Sequence, residues 1–127
     1  MLKREKILIV DDDIMMRKII KLMLEKLGYQ VIVASSPDEA IDLFKKEKNS
    51  IDLLLTDVMM PGMNGNELKK RVEKIMPGIK TLFISGHTLK TISYYGVAGK
   101  GIHFLQKPFT LSNLAGKIKG VTGFKDN

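Results

Sequence analysis

Cysteine is missing from this chain altogether. Its absence excludes disulfides and thiolate metal centres, and nothing points to an oxidising compartment. Long apolar runs are also missing: none approaches the roughly 20 residues that a membrane-spanning helix needs. The amino terminus has no apolar segment leading to a small-residue cleavage site, so no signal peptide is expected. Nor does any repeat, low-complexity stretch or shift of composition mark a linker. These absences predict a cytoplasmic chain without membrane insertion, folded as a single domain over residues 1–127 with its core between about residues 5 and 121. With 44% hydrophobic and 28% charged residues, the composition is that of a globular protein with one core rather than a disordered chain.

Charge of one sign is in excess. The formal net charge is +7, carried by lysines in most segments, with Lys45, Lys46 and Lys48 close together and Lys117, Lys119 and Lys125 near the end. Such a balance can attract nucleic acid or an acidic partner. No nucleic-acid motif or interleaved aromatic stripe accompanies these lysines, so they read as solvated positions on outer helix faces.

The most informative stretch runs from Ile51 to Gly62. Leu53, Leu54 and Leu55 form a short continuous apolar run, which suits a strand buried on both faces of a parallel sheet. Asp57 follows at its carboxyl end, where open parallel sheets bind their ligands. Taken alone, Asp57 serves equally well as a turn residue before Pro61.

The rest of the chain alternates strands with helices. Ile7–Val10 is an apolar strand running into Asp11, Asp12 and Asp13, and Met16, Ile19, Ile20, Met23, Leu24 and Leu27 recur at helical spacing before a stop at Gly28. Val31–Ala34 is a second strand. A capping box in Ser36-Pro37-Asp38-Glu39 predicts a helix from Pro37 to about Lys46, with Ala40, Ile41, Leu43 and Phe44 inward. Beyond Asp57 come a helix over Asn66–Met76 closed by Pro77-Gly78, a strand over Thr81–Ser85, and a helix between Thr88 and Gly96 weakened by Gly96, Gly99 and Gly101. A short strand at His103–Leu105 and a helix from Leu111 to about Val121 complete the chain.

Five strands alternating with five helices predict an α/β fold, a flavodoxin-like (βα)5 unit with a parallel five-stranded sheet of order 2-1-3-4-5. That order sets the first and third strands side by side, so Asp11 and Asp12 face Asp57. Converging carboxylates need a compensating cation, and an oxygen-rich site of this kind suits magnesium. Ser85 and Lys107 reach the same crevice from the fourth and fifth strands. A carboxylate, a metal, a hydroxyl and an ammonium together fit phosphoryl transfer to the carboxylate.

The stretches Ile7-Leu8-Ile9-Val10-Asp11-Asp12, Asp57-Val58-Met59-Met60-Pro61-Gly62-Met63-Asn64-Gly65, Phe83-Ile84-Ser85-Gly86 and Phe104-Leu105-Gln106-Lys107-Pro108-Phe109 together resemble a response-regulator receiver domain of two-component signalling. The resemblance extends from Ile7 to about Val121. It implies a phosphoprotein of phosphorelay signal transduction in which Asp57 takes a phosphoryl group from a sensor histidine kinase or a histidine phosphotransfer domain. Such a protein assists its own phosphorylation and dephosphorylation rather than turning over an external substrate as an enzyme does. The resemblance further implies Mg2+ held by Asp12, Asp57 and the Met59 carbonyl, with Asp11 acting mainly through water. It also implies phosphoryl contacts from Lys107 and Ser85, a cis Lys107–Pro108 peptide, and a switch in which Ser85 moves and Phe104 turns inward, altering the surface of the last two helices and the fifth strand. The stretches Ser85-Gly86-His87-Thr88 and Gly101–Thr110 look most like receivers at the carboxyl end of hybrid histidine kinases. A stand-alone regulator and a receiver excised from a longer kinase are both open.

Plainer roles stand beside these. Ser85 can simply end a strand, Phe104 can be a core aromatic, His87 an exposed loop residue, Asp13 a helix cap, and Met59, Met60 and Met63 loop packing. Many relatives carry tyrosine where Phe104 stands, so switching here would rest on packing without a phenol hydrogen bond. A haloacid-dehalogenase-type phosphatase would need a second acid at position 59, which is methionine. The remaining alternative is a pseudo-receiver that binds proteins without phosphorylation, although the acid, hydroxyl and lysine set is complete.

Overall fold

Ile7, Leu8, Ile9 and Val10 are all fully buried, because their strand runs through the centre of a sheet covered on both faces. This strand, β1 (Lys6–Val10), pairs with β2 (Gln30–Ala34) on one side and β3 (Leu53–Asp57) on the other. Beyond β3 lie β4 (Lys80–Ser85) and the edge strand β5 (Phe104–Gln106), every pairing parallel, in the order β2-β1-β3-β4-β5. The helices are α1 (Ile14–Lys26), α2 (Pro37–Lys46), α3 (Gly65–Ile75), α4 (Leu89–Ser93) and α5 (Leu111–Thr122). The structure is a computed structural model that describes residues 4–47, 50–97 and 101–124; Lys48, Gly99 and Lys125 lie outside these.

Alternation along the strands divides the core in two. Ile7, Ile9, Leu53, Leu55, Leu82 and Ile84 pack with Ile20 and Leu24 of α1 and Leu114 and Ile118 of α5. Leu8, Val10 and Leu54 face the opposite way, onto Ala40 and Phe44 of α2 and Leu68 and Val72 of α3. Each of the larger side chains among these, Val, Leu, Ile or Phe, contributes about 1.5–3 kcal/mol by leaving water. A third, smaller cluster of Val58, Phe83, Ile92 and Val97 lies under α4, on the same face as α2 and α3.

Local chemistry sets the element ends. In α2 the Ser36 hydroxyl accepts the Glu39 N–H at 3.2 Å, but Glu39 reaches back to the N–H of Ser35 rather than to the cap residue. The expected box is therefore half formed, with its return bond one residue earlier, where the chain has just left β2. Of the expected inner face, Ala40 and Phe44 are buried while Ile41 and Leu43 are half-buried. A full box between Asn64 and Glu67 starts α3 one residue before the expected Asn66. The expected helix over residues 88–96 is instead five residues long. After Ser93, the amides of Tyr94, Tyr95 and Gly96 bond to carbonyls three residues back, and Gly96 takes φ +82°, which ends the helical path. The fifth strand starts one residue later than expected. Among the described residues no helix is long and apolar enough to cross a membrane.

Candidate functional site

Strand register brings the chemistry together. Val10 lies opposite Thr56, so Asp11 and Asp57 leave the sheet side by side; Asp57 lies opposite Ile84, the residue before Ser85; and Ser85 lies opposite Gln106, the residue before Lys107. The Lys107 amide also donates to the Ser85 carbonyl at 2.8 Å, and the Lys107–Pro108 peptide is cis.

At the centre, Lys107 Nζ stands 3.4 Å from Asp11 Oδ2 and 3.5 Å from Asp57 Oδ2. Asp11 is almost wholly buried and Asp12 is exposed. The other Asp11 oxygen accepts the Asp13 N–H at 2.9 Å, while Asp57 Oδ1 accepts the Met59 N–H at 3.3 Å. Burial raises the Asp57 pKa above the ordinary carboxylate value; Lys107 opposes this, the neighbouring Asp11 reinforces it, and the Met59 and Val58 amides oppose it. One carboxyl oxygen each from Asp11, Asp12 and Asp57 lies within 4.8 Å of the others. Three carboxylates facing one ammonium leave an excess of negative charge, and hard oxygen donors of this kind fit a small divalent cation.

The remaining expected residues are placed as follows. Ser85 is fully buried at the end of β4, and its Oγ accepts the His87 N–H at 3.0 Å while His87 itself is exposed. Phe104 is half-buried against the cluster of Val58, Phe83, Ile92 and Val97, so the strand end carrying Asp57 and the β5 edge share one small core. Asp13 caps α1, accepting the amides of Met15 at 2.9 Å and Met16 at 3.4 Å. Met60 and Met63 pack against the α2–α3 core and Met59 against the α4 cluster, which is the loop-packing role.

Two contributors were not expected from the sequence. Arg17 Nη1 donates to the Asp11 carbonyl at 2.7 Å, holding the acidic loop from the first turn of α1. Its only sequence signal is a basic residue six positions after an acid. Gly65 donates its N–H to the Val58 carbonyl at 2.7 Å, and a Cβ there would meet the Asp57 carbonyl oxygen at 2.4 Å. Only glycine lets α3 start this close to the backbone of Asp57.

Comparisons with known proteins agree with this geometry. The family model for the response regulator receiver domain matches residues 7–119. The chain is 36% identical over 115 residues to the response regulator receiver protein CpdR of Brucella abortus, covering 91% of this chain and 94% of that one. It is 34% identical over 124 residues to sporulation initiation phosphotransferase F of Bacillus subtilis, covering 97% and 98%. A crystal structure of a response regulator receiver domain protein from Clostridium thermocellum superposes with a TM-score of 0.83 at 30% identity, covering 94% of each chain. Other matched proteins are much longer, and the chain spans 12% of the sensor kinase CckA of Brucella abortus.

Proposed function

The chain belongs to the response regulator receiver family, and from that premise we propose that Asp57 accepts a phosphoryl group from a phosphohistidine of a sensor kinase or histidine phosphotransfer protein. The observation that carries this reading is Lys107 held between Asp11 and Asp57 at the mouth of the sheet. An Asp57 carboxylate oxygen attacks phosphorus, the P–N bond to the donor imidazole breaks as the P–O bond forms, and the imidazole leaves neutral once protonated. Magnesium, bound through Asp12, Asp57 and the Met59 carbonyl with Asp11 acting through water, would neutralise charge on the transferring group.

The protein's own groups do the positioning. Lys107 is a point charge for the phosphoryl oxygens. Ser85 accepts a hydrogen bond from His87, which leaves its own O–H available to donate to a phosphoryl oxygen. A shift of Ser85 and Phe104 would disturb the small core under α4 and so alter the surface built from α4, β5 and α5. Apolar surface beside the site suits a docking phosphodonor: Ile14, Met15, Ile19 and Leu22 of α1 are exposed, and Met16, Ile19, Met23, Lys107, Pro108 and Phe109 line an open groove of about 420 Å³.

Intact mass after incubation with magnesium and acetyl phosphate tests the proposal. The wild-type chain is expected to gain one phosphoryl group and Asp57→Asn none, with the fold of the variant unchanged. Equal incorporation into both would place the acceptor elsewhere. No incorporation into folded, magnesium-binding wild type would point instead to a receiver that acts by protein binding alone.

A further inference from the structure

Of the three carboxylates in the candidate site, that of Asp12 has the least support from its own side chain. Asp11 faces Lys107 with one oxygen and accepts the Asp13 N–H with the other, and Asp57 likewise holds Lys107 and the Met59 N–H. The Asp12 carboxylate is exposed and has no hydrogen-bond or ion-pair partner among the described residues, yet an oxygen of it lies within 4.8 Å of the other two acids. Its backbone therefore determines where it stands.

That backbone is tied down on both sides. The Asp11 N–H donates to the Ala34 carbonyl of β2 at 3.4 Å, and the Asp13 carboxylate caps α1. Between these anchors the Asp11 carbonyl accepts Arg17 Nη1 at 2.7 Å. The Asp11 carbonyl and the Asp12 N–H belong to one planar peptide unit, so a donor that fixes the carbonyl fixes the plane from which Asp12 projects. Arg17 is half-buried, and its own N–H donates to the Asp13 carbonyl at 3.0 Å, so the donor is as firmly placed as the loop it holds. Its guanidinium makes no ion pair among the described residues, which leaves the carboxylates to a cation.

We propose that Arg17 is a positioning residue for the divalent cation: by holding the peptide between Asp11 and Asp12 it keeps the Asp12 carboxylate in place and sets the affinity for magnesium. The proposal rests on the reading that these carboxylates bind magnesium and adds a residue that supplies no ligand atom. Two effects of Arg17 oppose each other. A fixed positive charge near the site repels a cation, whereas a ligand already held in place loses less freedom on binding. Water screens the charge of a half-exposed guanidinium, while the hydrogen bond acts at contact, so position outweighs charge.

Titration of the full chain with magnesium, followed by amide shifts and without any phosphodonor, tests this. Arg17→Met loses both donor and charge; Arg17→Lys keeps the charge but ends one bond short of the Asp11 carbonyl. Lys18→Met, at an exposed neighbouring position of α1, controls for net charge. Both Arg17 variants are expected to bind magnesium about tenfold more weakly, the lower end of the loss when an outer support of a ligand is removed, and Lys18→Met as tightly as wild type. With acetyl phosphate, the magnesium concentration for half-maximal phosphorylation should rise by the same factor with little change in the limiting rate, a split that general destabilisation would not produce. Should Arg17→Met fail to fold, Arg17→Lys carries the test. Wild-type affinity in Arg17→Lys, tighter binding by Arg17→Met, or equal weakening in Lys18→Met would each overturn the proposal while leaving magnesium binding itself intact. A folded wild type that binds no magnesium would overturn both.

Discussion

From β1 to α3 the chain builds three strands of five residues and helices of thirteen, ten and eleven; from β4 onward it builds strands of six and three, a helix of five and one of twelve. The first region supplies every carboxylate of the candidate site and balances its own charge. The second supplies the buried hydroxyl and the ammonium and carries no acid between Lys74 and Lys125. α2 and α3 share one large core with the central strands, whereas α4 closes over four buried residues of its own. Under the proposed function the acids must be held still while a distant surface changes. The division between a thoroughly packed region and a lightly packed one provides for both.

Unequal packing predicts unequal cavities. Leu54→Ala, in a side chain enclosed by strands and by α2 and α3, should cost about 4 kcal/mol of stability, near the upper end for such truncations. Ile92→Ala, on a short helix able to settle inward, should cost about 2 kcal/mol. Urea denaturation of both variants measures the difference, and equal costs would remove the distinction between the two regions.

A second way to break the comparison is to withdraw Lys107, a cation that the second region brings to the carboxylates of the first. Lys107→Met should slow phosphorylation by acetyl phosphate about 100-fold while leaving the fold intact, since a preformed charge at the developing oxyanion is lost. Time-resolved intact mass gives the rate, and an unchanged rate would remove Lys107 from the mechanism.

Smaller effects sharpen the picture. The folded pKa of Asp57 lies above its ordinary value, so the unfolded chain gives up this proton first. Without magnesium, the group's contribution is most favourable below the ordinary carboxylate value and is lost as pH rises through the folded pKa. Asp57→Asn escapes that loss. It should melt at a higher temperature than wild type at pH 7, with the gap closing as pH falls through the carboxylate range; a gap that widens in acid would reverse the sign. Smallest is Gly116→Ala on the outer face of α5, where a Cβ meets nothing within 4 Å. It should stabilise the protein by about 0.8 kcal/mol through helix propensity, read as a shift in the urea midpoint.

How much was legible in the sequence follows the same division. Apolar runs such as Leu53–Leu55 and the helical spacing of Ile20 and Leu24 specify the first region, and α2 spans Pro37–Lys46 as its cap signals predict. Strand order follows from chirality and alternation, which is how Asp11, Asp57 and Lys107 were expected in one crevice before any distance was known. α4 was overextended because neither Tyr94 nor Tyr95 is a helix breaker and the first stop signal in the sequence is Gly96, which takes φ +82° and sits so close to α3 that a Cβ there would meet the Asn66 amide. Arg17 escaped notice because side-chain donors to a distant carbonyl leave no periodic trace, and Gly65 because close backbone approach is a property of two segments together.

The central claim is that Asp57 is the group that becomes an acyl phosphate. Borohydride reduces an acyl phosphate to a primary alcohol, so phosphorylated protein trapped in this way and digested for peptide mass mapping reports the acceptor directly. The account predicts homoserine at position 57, formed only when magnesium and the phosphodonor are both present. Homoserine at position 11 or 12, or the same product at position 57 without magnesium, would contradict it.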